Sequence, residues 1–337
     1  MMATSIAHPM QALVKYHGLK DWELRIPFHD SISVNVDTLW TKTSVQFGDF
    51  EQDVIEINGR PVQGDAFQRC LAVVNRVREL AGTDNRIKVM SANSLNYTEA
   101  KGLGFSSSGG AALAAAAFKA ARLDEEYGWD LRLISRIARR LAGSASRSVA
   151  GEYARWYAGK DDESSYAEKI ATKSDLDLGM VVVPLPSDVR TEEAHSEVMS
   201  SPFLRARIKS ASGRVEEMEG AIKSGDLEKV AALAEVDSLE LHGLTMTGKR
   251  GLVAYKPESI QVMGEIRKMR QEGIPAYFSM QTGPSVFINT YPERISDVRE
   301  RIEALGLKTI SAGVGSEVKI VSSQRARYES NKYATTP

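Results

Sequence analysis

The segment that most limits what this chain can fold into is Gly102-Leu103-Gly104-Phe105-Ser106-Ser107-Ser108-Gly109-Gly110-Ala111-Ala112-Leu113. Glycines let a backbone turn tightly and approach a ligand, and the alanines that follow favour a helix of little bulk. A helix that begins in such a loop points its unpaired N–H groups and the positive end of its dipole into the loop, as a phosphate cradle requires. No Gly-Lys-Ser/Thr follows, so this is not a Walker-type loop. Alone, the segment reads equally well as a flexible serine-glycine turn capping a core helix, expected over 107–122.

Two further segments hold candidate anion ligands. Ala142-Gly143-Ser144-Ala145-Ser146-Arg147-Ser148 places small residues after a helix expected over 131–141, and Arg147 offers a planar fork that suits a carboxylate or phosphate. Alone, it also reads as a surface arginine beside a helix end. Near the start, Lys15 closes an apolar run and is followed by Tyr16, His17, Gly18 and Lys20. Either ammonium can face an anion, and either can be an ordinary exposed lysine. His17 and His29 lack the cysteine or carboxylate spacing of a metal site and read as structural or substrate-lining.

The remaining pattern alternates short strands with helices. Strands are expected at 31–36, 43–47, 54–57 and 87–90, with Asn58-Gly59 as a hairpin turn and Pro61 marking an edge. A helix is expected from Gly64-Asp65, with Asp65 as N-cap. The apolar strand at 180–183 runs into Pro184 and Pro186, which sets a domain boundary between 183 and 184. Beyond it come helices at 204–223, 227–245 and 259–271, then strand, strand, helix and strand at 276–280, 285–289, 295–305 and 318–321. These describe an α+β second domain, 184–330, with helices on one face of a small antiparallel sheet. A length of 337 residues suits two such domains. The net charge of −1 gives no general attraction to nucleic acid or an anionic membrane. No apolar run reaches the roughly 20 residues that cross a bilayer. The start lacks a signal-peptide pattern, and the lone Cys70 fits a reducing cytoplasm.

Together the motifs resemble the mevalonate diphosphate and phosphomevalonate decarboxylases of the GHMP superfamily. Val14-Lys15-Tyr16-His17-Gly18 is similar to the family's Lys-Tyr-Trp-Gly segment, Gly102–Leu113 to its phosphate loop, and Gly143–Ser148 to its Gly-Ser-Ala-Cys-Arg-Ser segment. The segments 30–34, 191–195, 200–203, 237–240 and 276–286 follow in the family's order, and the wording from Ala7 to Gly18 most resembles the archaeal phosphomevalonate decarboxylases. The resemblance implies a ribosomal-protein-S5-like first domain (1–183), a ferredoxin-like second domain and a homodimer. It implies that Lys15 meets the substrate's phosphate or 3-oxygen, Ser144 the reacting carboxylate end and Arg147 the carboxylate. Gly104, Ser106, Ser107, Ser108 and Gly109 would hold a phosphate chain, and Tyr16, His17 and Lys20 would line the substrate. The implied substrate is a small phosphorylated carboxylic acid, with a 5-monophosphate favoured.

Gln281 stands where the family usually carries an aspartate beside the 3-hydroxyl. A neutral amide is no general base. One explanation is an ATP-independent decarboxylase acting on mevalonate 3,5-bisphosphate. The other retains ATP and Mg2+, because phosphoryl transfer depends mostly on positioning and charge stabilisation. A kinase that stops before decarboxylation and a non-catalytic metabolite-binding relative are the alternatives.

Overall fold

A computed structural model describes residues 1–95 and 102–322. Three larger sheets carry the architecture. The first has six strands in the order Lys319–Val321, Met2–Ala7, Thr41–Gly48, Arg86–Asn93, Val54–Ile57 and Arg60–Pro61. Its pairings are antiparallel except for Val54–Ile57 against Arg86–Asn93. Asn58-Gly59 makes the expected hairpin, both residues at positive φ, and Pro61 lies in the edge strand. The second sheet runs Ala167–Ala171, Tyr153–Trp156, Ser31–Asn35, Met10–Val14, and the third Tyr277–Met280, Val286–Thr290, Gly179–Val183, Ile310–Ala312.

Phe105–Ala120 is buried on nearly every side, as expected for a helix apolar all round. Its small side chains let neighbours close in. A Cβ on Gly110 would come within 2.6 Å of the Ala145 Cβ, so the helix start packs directly on the short helix Ala145–Ala150. The second sheet is covered on both faces, with Ala145–Ala150 on one side and Leu204–Lys223 and Leu227–Met246 on the other. Strands Met10–Val14 and Ser31–Asn35 are consequently buried at every residue. Ser31 and Ser33, which the alternation at 31–36 assigns to a polar face, lie inside with their hydroxyls unpartnered.

Several expectations change. Gly179–Val183 pairs with Val286–Thr290 and Ile310–Ala312, so the strand placed before the 183/184 boundary belongs to the sheet beyond it. Lys319–Val321, expected in the second domain, pairs with Met2–Ala7 of the first sheet. The expected end of that domain at 330 lies outside the described residues. Helices cover both faces of the third sheet. Val181, Phe278 and Ile288 pack with Val262, Ile266 and Val298, while Met180, Val182 and Phe287 pack with Val215, Met218 and Ala231. A strand apolar on both sides carries no alternation to show which face is covered. The N-cap of Gly64–Ala81 is Gln63, and Asp65 sits in the first turn, where a carboxylate still favours the dipole. Among the described residues no helix is long and apolar enough to cross a membrane.

Gly151 fixes the helix that carries Arg147. It closes Ala145–Ala150 at φ 72°, ψ 176°, a region essentially reserved for glycine, and its N–H donates to the Arg147 carbonyl at 3.1 Å. A Cβ there would strike the Glu317 backbone. Gly151→Ala is therefore expected to destabilise the fold by about 2 kcal/mol or more, read from chemical denaturation.

Candidate active site

Lys15 follows strand Met10–Val14 and is drawn into the second domain. Its backbone N–H donates to Asp237 Oδ1 at 2.9 Å, and its carbonyl accepts from Arg207 Nη2 at 2.9 Å. The ammonium lies 3.0 Å from Ser279 Oγ, 3.4 Å from the Ala234 carbonyl and 3.8 Å from Asp237 Oδ1. Lys15 is only 2% exposed, so the reading of an ordinary surface lysine fails. Burial pulls its ammonium down to about 8, against the opposing charge of Asp237. Burial alone would push the Asp237 carboxyl up, but Arg207, Lys15 and the Lys15 N–H hold it below the usual carboxylate range.

Arg147 is 1% exposed and has no partner at Nε or Nη1. It lies 5.6 Å from the Tyr16 ring centre and 5.9 Å from that of Trp156. Burial brings its guanidinium down to about 10, still charged at neutral pH. Aromatic faces attract a cation but do not satisfy its N–H groups, and a buried cation with orphaned donors is costly. An anion would supply the missing acceptors. Ser144 precedes it at the N-cap of the same helix, half-buried, and makes no capping hydrogen bond. Gly143 is required by packing, since any Cβ would collide with the Tyr16 hydroxyl and the Trp156 ring.

The glycine-serine loop lies against both elements. Gly104 takes φ 80° as the helix N-cap, and Met10 N donates to Ser107 Oγ at 3.2 Å. Ser107 Oγ also donates to the Gly104 carbonyl at 2.7 Å, and Ser108 Oγ is 2.6 Å from Thr41 Oγ1. These two hydroxyls are committed to holding the loop. The open positions are Ser106, which is exposed, and Gly109, whose Cβ direction meets nothing within 4 Å.

Gln281 makes a two-point bond to one residue. Its Oε1 accepts from Ala12 N at 3.0 Å and its Nε2 donates to Ala12 O at 3.4 Å, so the amide pairs with Ala12 as a neighbouring strand would. A carboxylate cannot donate the second bond. His242 Nε2 donates to the Gln281 carbonyl at 2.9 Å. Gly18 N donates to His195 Nδ1 at 3.1 Å, which places the His195 proton on Nε2. The His195 ring stacks on Tyr16 at 5.1 Å and meets His17 at 4.8 Å. Burial takes His195 down to about 3 and His242 to about 4, and lowers His17 well below its usual value, so all three are neutral.

The structure thus gathers Lys15, Tyr16, His17, Ser144, Arg147 and Gln281 about the junction of the domains. Lys20 is exposed, with its ammonium on the Gly159 carbonyl at 3.1 Å, and does not join them. Asp237, His195 and Trp156 were not singled out as site residues from sequence. The first two lie in segments 237–240 and 191–195, whose resemblance was the available signal.

Buried cations at the junction of two α+β domains, with a helix N-terminus at a glycine-serine loop, are the arrangement expected of the GHMP fold, and the solved structures that superpose on the chain have that fold. The comparisons narrow this further. Residues 7–167 match the family described as diphosphomevalonate decarboxylase-like N-terminal domain, and residues 190–332 match mevalonate 5-diphosphate decarboxylase C-terminal domain. Phosphomevalonate decarboxylase from Haloferax volcanii is 41% identical over 330 residues, covering 97% of this chain and 100% of that one. Mevalonate 3,5-bisphosphate decarboxylase from Thermoplasma acidophilum is 26% identical, covering 86% and 71%. A solved structure of MDDEF in complex with MVAPP, AMPPCP and magnesium superposes with TM-score 0.88 at 28% identity, covering 96% and 100%. The chain belongs to the mevalonate diphosphate decarboxylase family.

If the Lys15 ammonium serves the reaction, turnover falls as pH rises through about 8, where that group loses its proton. Asp237→Asn removes the charge that keeps the proton on, so the basic limb moves to lower pH. A limb that stays in place in the variant's pH profile would separate this ion pair from the chemistry.

Proposed function

We propose that this chain decarboxylates mevalonate 5-phosphate to isopentenyl phosphate, with ATP as co-substrate. The observation that carries the reading is the buried Arg147, a guanidinium with two orphaned nitrogens beside Ser144 and the glycine-serine loop. The likeness to the Haloferax volcanii enzyme supports the same substrate.

In this reading the carboxylate seats on Arg147 Nε and Nη1. The nucleotide phosphates lie along the start of Phe105–Ala120, where Ser106 and the open side of Gly109 leave room and the free N–H groups provide donors. The γ-phosphoryl group passes to the substrate 3-oxygen as its bond to the ADP oxygen breaks, and the hydroxyl proton leaves to solvent. The C1–C2 bond then breaks, its electron pair forms the C2–C3 double bond, and phosphate leaves from C3 with the C–O electrons. Carbon dioxide, phosphate, ADP and isopentenyl phosphate are released. Lys15 offers its positive charge to the departing phosphate, and such preorganised charge commonly contributes several kcal/mol to a transition state. Among the described residues no three His, Cys, Asp or Glu side chains gather to hold a metal ion. Magnesium would enter bound to the nucleotide and neutralise part of its phosphate charge.

One observation favours a second reading. Both polar atoms of Gln281 are taken by Ala12, so this position supplies no base for a 3-hydroxyl. A substrate that arrives as mevalonate 3,5-bisphosphate needs none, and decarboxylates without nucleotide. The two readings separate in one assay of isopentenyl phosphate. Product from mevalonate 5-phosphate only with Mg-ATP supports the first, and product from the bisphosphate alone supports the second. A cytoplasmic location fits a sequence whose lone cysteine, Cys70, can form no intrachain disulfide.

Arg147→Ala is expected to lower kcat/KM about a hundredfold or more, because the carboxylate loses its charged partner. Steady-state kinetics on the folded variant checks this, and near-normal turnover would remove Arg147 from the reaction. Gln281→Asp is expected to raise ATP-dependent turnover if the missing carboxylate limits phosphorylation, at the cost of the bond to the Ala12 carbonyl.

A further inference from the structure

Arg25 and Arg69 meet on one carboxylate. Arg25 Nη2 is 2.5 Å from Glu192 Oε1, and Arg69 Nη1 is 3.8 Å from the same oxygen. Arg69 is anchored on its other edge, where Nε and Nη2 donate to the Leu141 carbonyl at 3.0 and 2.8 Å. That carbonyl is two residues before Gly143, the glycine that makes room for the Tyr16 hydroxyl. The charges of Arg25 and Arg69, like that of Arg147, reach the Tyr16 hydroxyl. Their fields reach His195 as well, whose low pKa is caused first by burial and next by the charges of Arg25 and Arg69.

Arg25 is held at φ 55°, in the left-handed region that side-chain-bearing residues rarely adopt, and its Nε is buried without a partner. Arg69 and Glu192 remain about one third exposed, at 34% and 38%. The result is a partly exposed bay formed by two guanidinium groups and one carboxylate, with the unpartnered Arg25 Nε buried behind them. Two positive charges and one negative leave a single net positive charge.

We propose that Glu192 sets the specificity of this bay, so that Arg25 and Arg69 receive a 5-monophosphate and Glu192 turns away a 5-diphosphate. The inference rests on the phosphorylated mevalonate substrate proposed above. A substrate with its carboxylate on Arg147 extends its phosphorylated end past Tyr16 toward the bay. One phosphoryl group finds the Arg25 and Arg69 donors. A second would add charge beside the Glu192 carboxylate, and specificity often depends on such a repulsive element as much as on the attractive ones. Arg25 and Arg69 would bind either ligand, while Glu192 separates them.

The test compares carbon dioxide release from mevalonate 5-phosphate and mevalonate 5-diphosphate, each with Mg-ATP, by the full chain and by Glu192→Gln and Glu192→Asp. The ratio of kcat/KM for monophosphate over diphosphate is expected to fall at least tenfold in Glu192→Gln and to persist in Glu192→Asp, which keeps the charge. An unchanged ratio in a folded Glu192→Gln overturns the inference while leaving the proposed function intact. Arg69→Ala should raise KM for the monophosphate far more than it lowers kcat, and the reverse pattern counts against the bay. If the wild type releases no carbon dioxide from either compound, the proposed function fails and calorimetry with the same two compounds decides the bay separately. Binding of the monophosphate alone, with the diphosphate gained in Glu192→Gln, supports it; equal binding of both by the wild type overturns it.

Discussion

Asp237 is the point on which the two domains agree. Its carboxylate is fully buried, and it accepts from the Lys15 backbone N–H of the first domain and from Arg207 and Arg214 of the second. A carboxylate taken out of water is tolerated only when its lone pairs are filled, and here the filling comes from both sides of the junction. Glu240 extends the network by binding the same two arginines. Lys15 is thereby held by its N–H, its carbonyl and its ammonium at once. Losing this anion would leave the Lys15 ammonium without a carboxylate partner and Glu240 as the one remaining counter-charge of Arg207 and Arg214 in this network.

Around that anchor the site is polar but almost free of mobile protons. His17, His195 and His242 are kept neutral by burial and serve as fixed donors, acceptors and stacking surfaces. The Gln281 amide completes the Ala12 peptide. The charged groups are the arginines, Lys15 and their few carboxylate partners. A site built in this way suits holding multiply charged anions in fixed positions, with little reorganisation during reaction.

Much of the frame was legible in the residue pattern. The helices at 204–223 and 227–245 were marked by long helical periodicity and match Leu204–Lys223 and Leu227–Met246. The Asn58-Gly59 hairpin followed from turn chemistry. What failed to show was anything fixed by partners distant in sequence. Met10–Val14 is covered on both faces, so it has no alternation to reveal it as a strand. Gly179–Val183 reads as a strand, but its sheet is decided by residues more than a hundred positions later. The same holds within the site. Gly102–Leu113 and Gly143–Ser148 announced themselves by composition, yet the inward turn of Ser107 and Ser108 depends on Met10 and Thr41. Lys20 and Lys15 look alike in sequence, and only the tertiary surroundings send one to Asp237 and the other to a surface carbonyl.

The pairing of Lys319–Val321 with Met2–Ala7 carries a consequence for how the chain is made. The third sheet and its helices lie in sequence between two strands that are neighbours in the first. During synthesis, at about 5–20 residues per second, the first sheet must wait for its last strand while the whole second domain is translated and can already fold. The domain that begins the chain is therefore among the last parts to be completed. Its exposed edge along Met2–Ala7 stays open on the ribosome until that closing strand emerges.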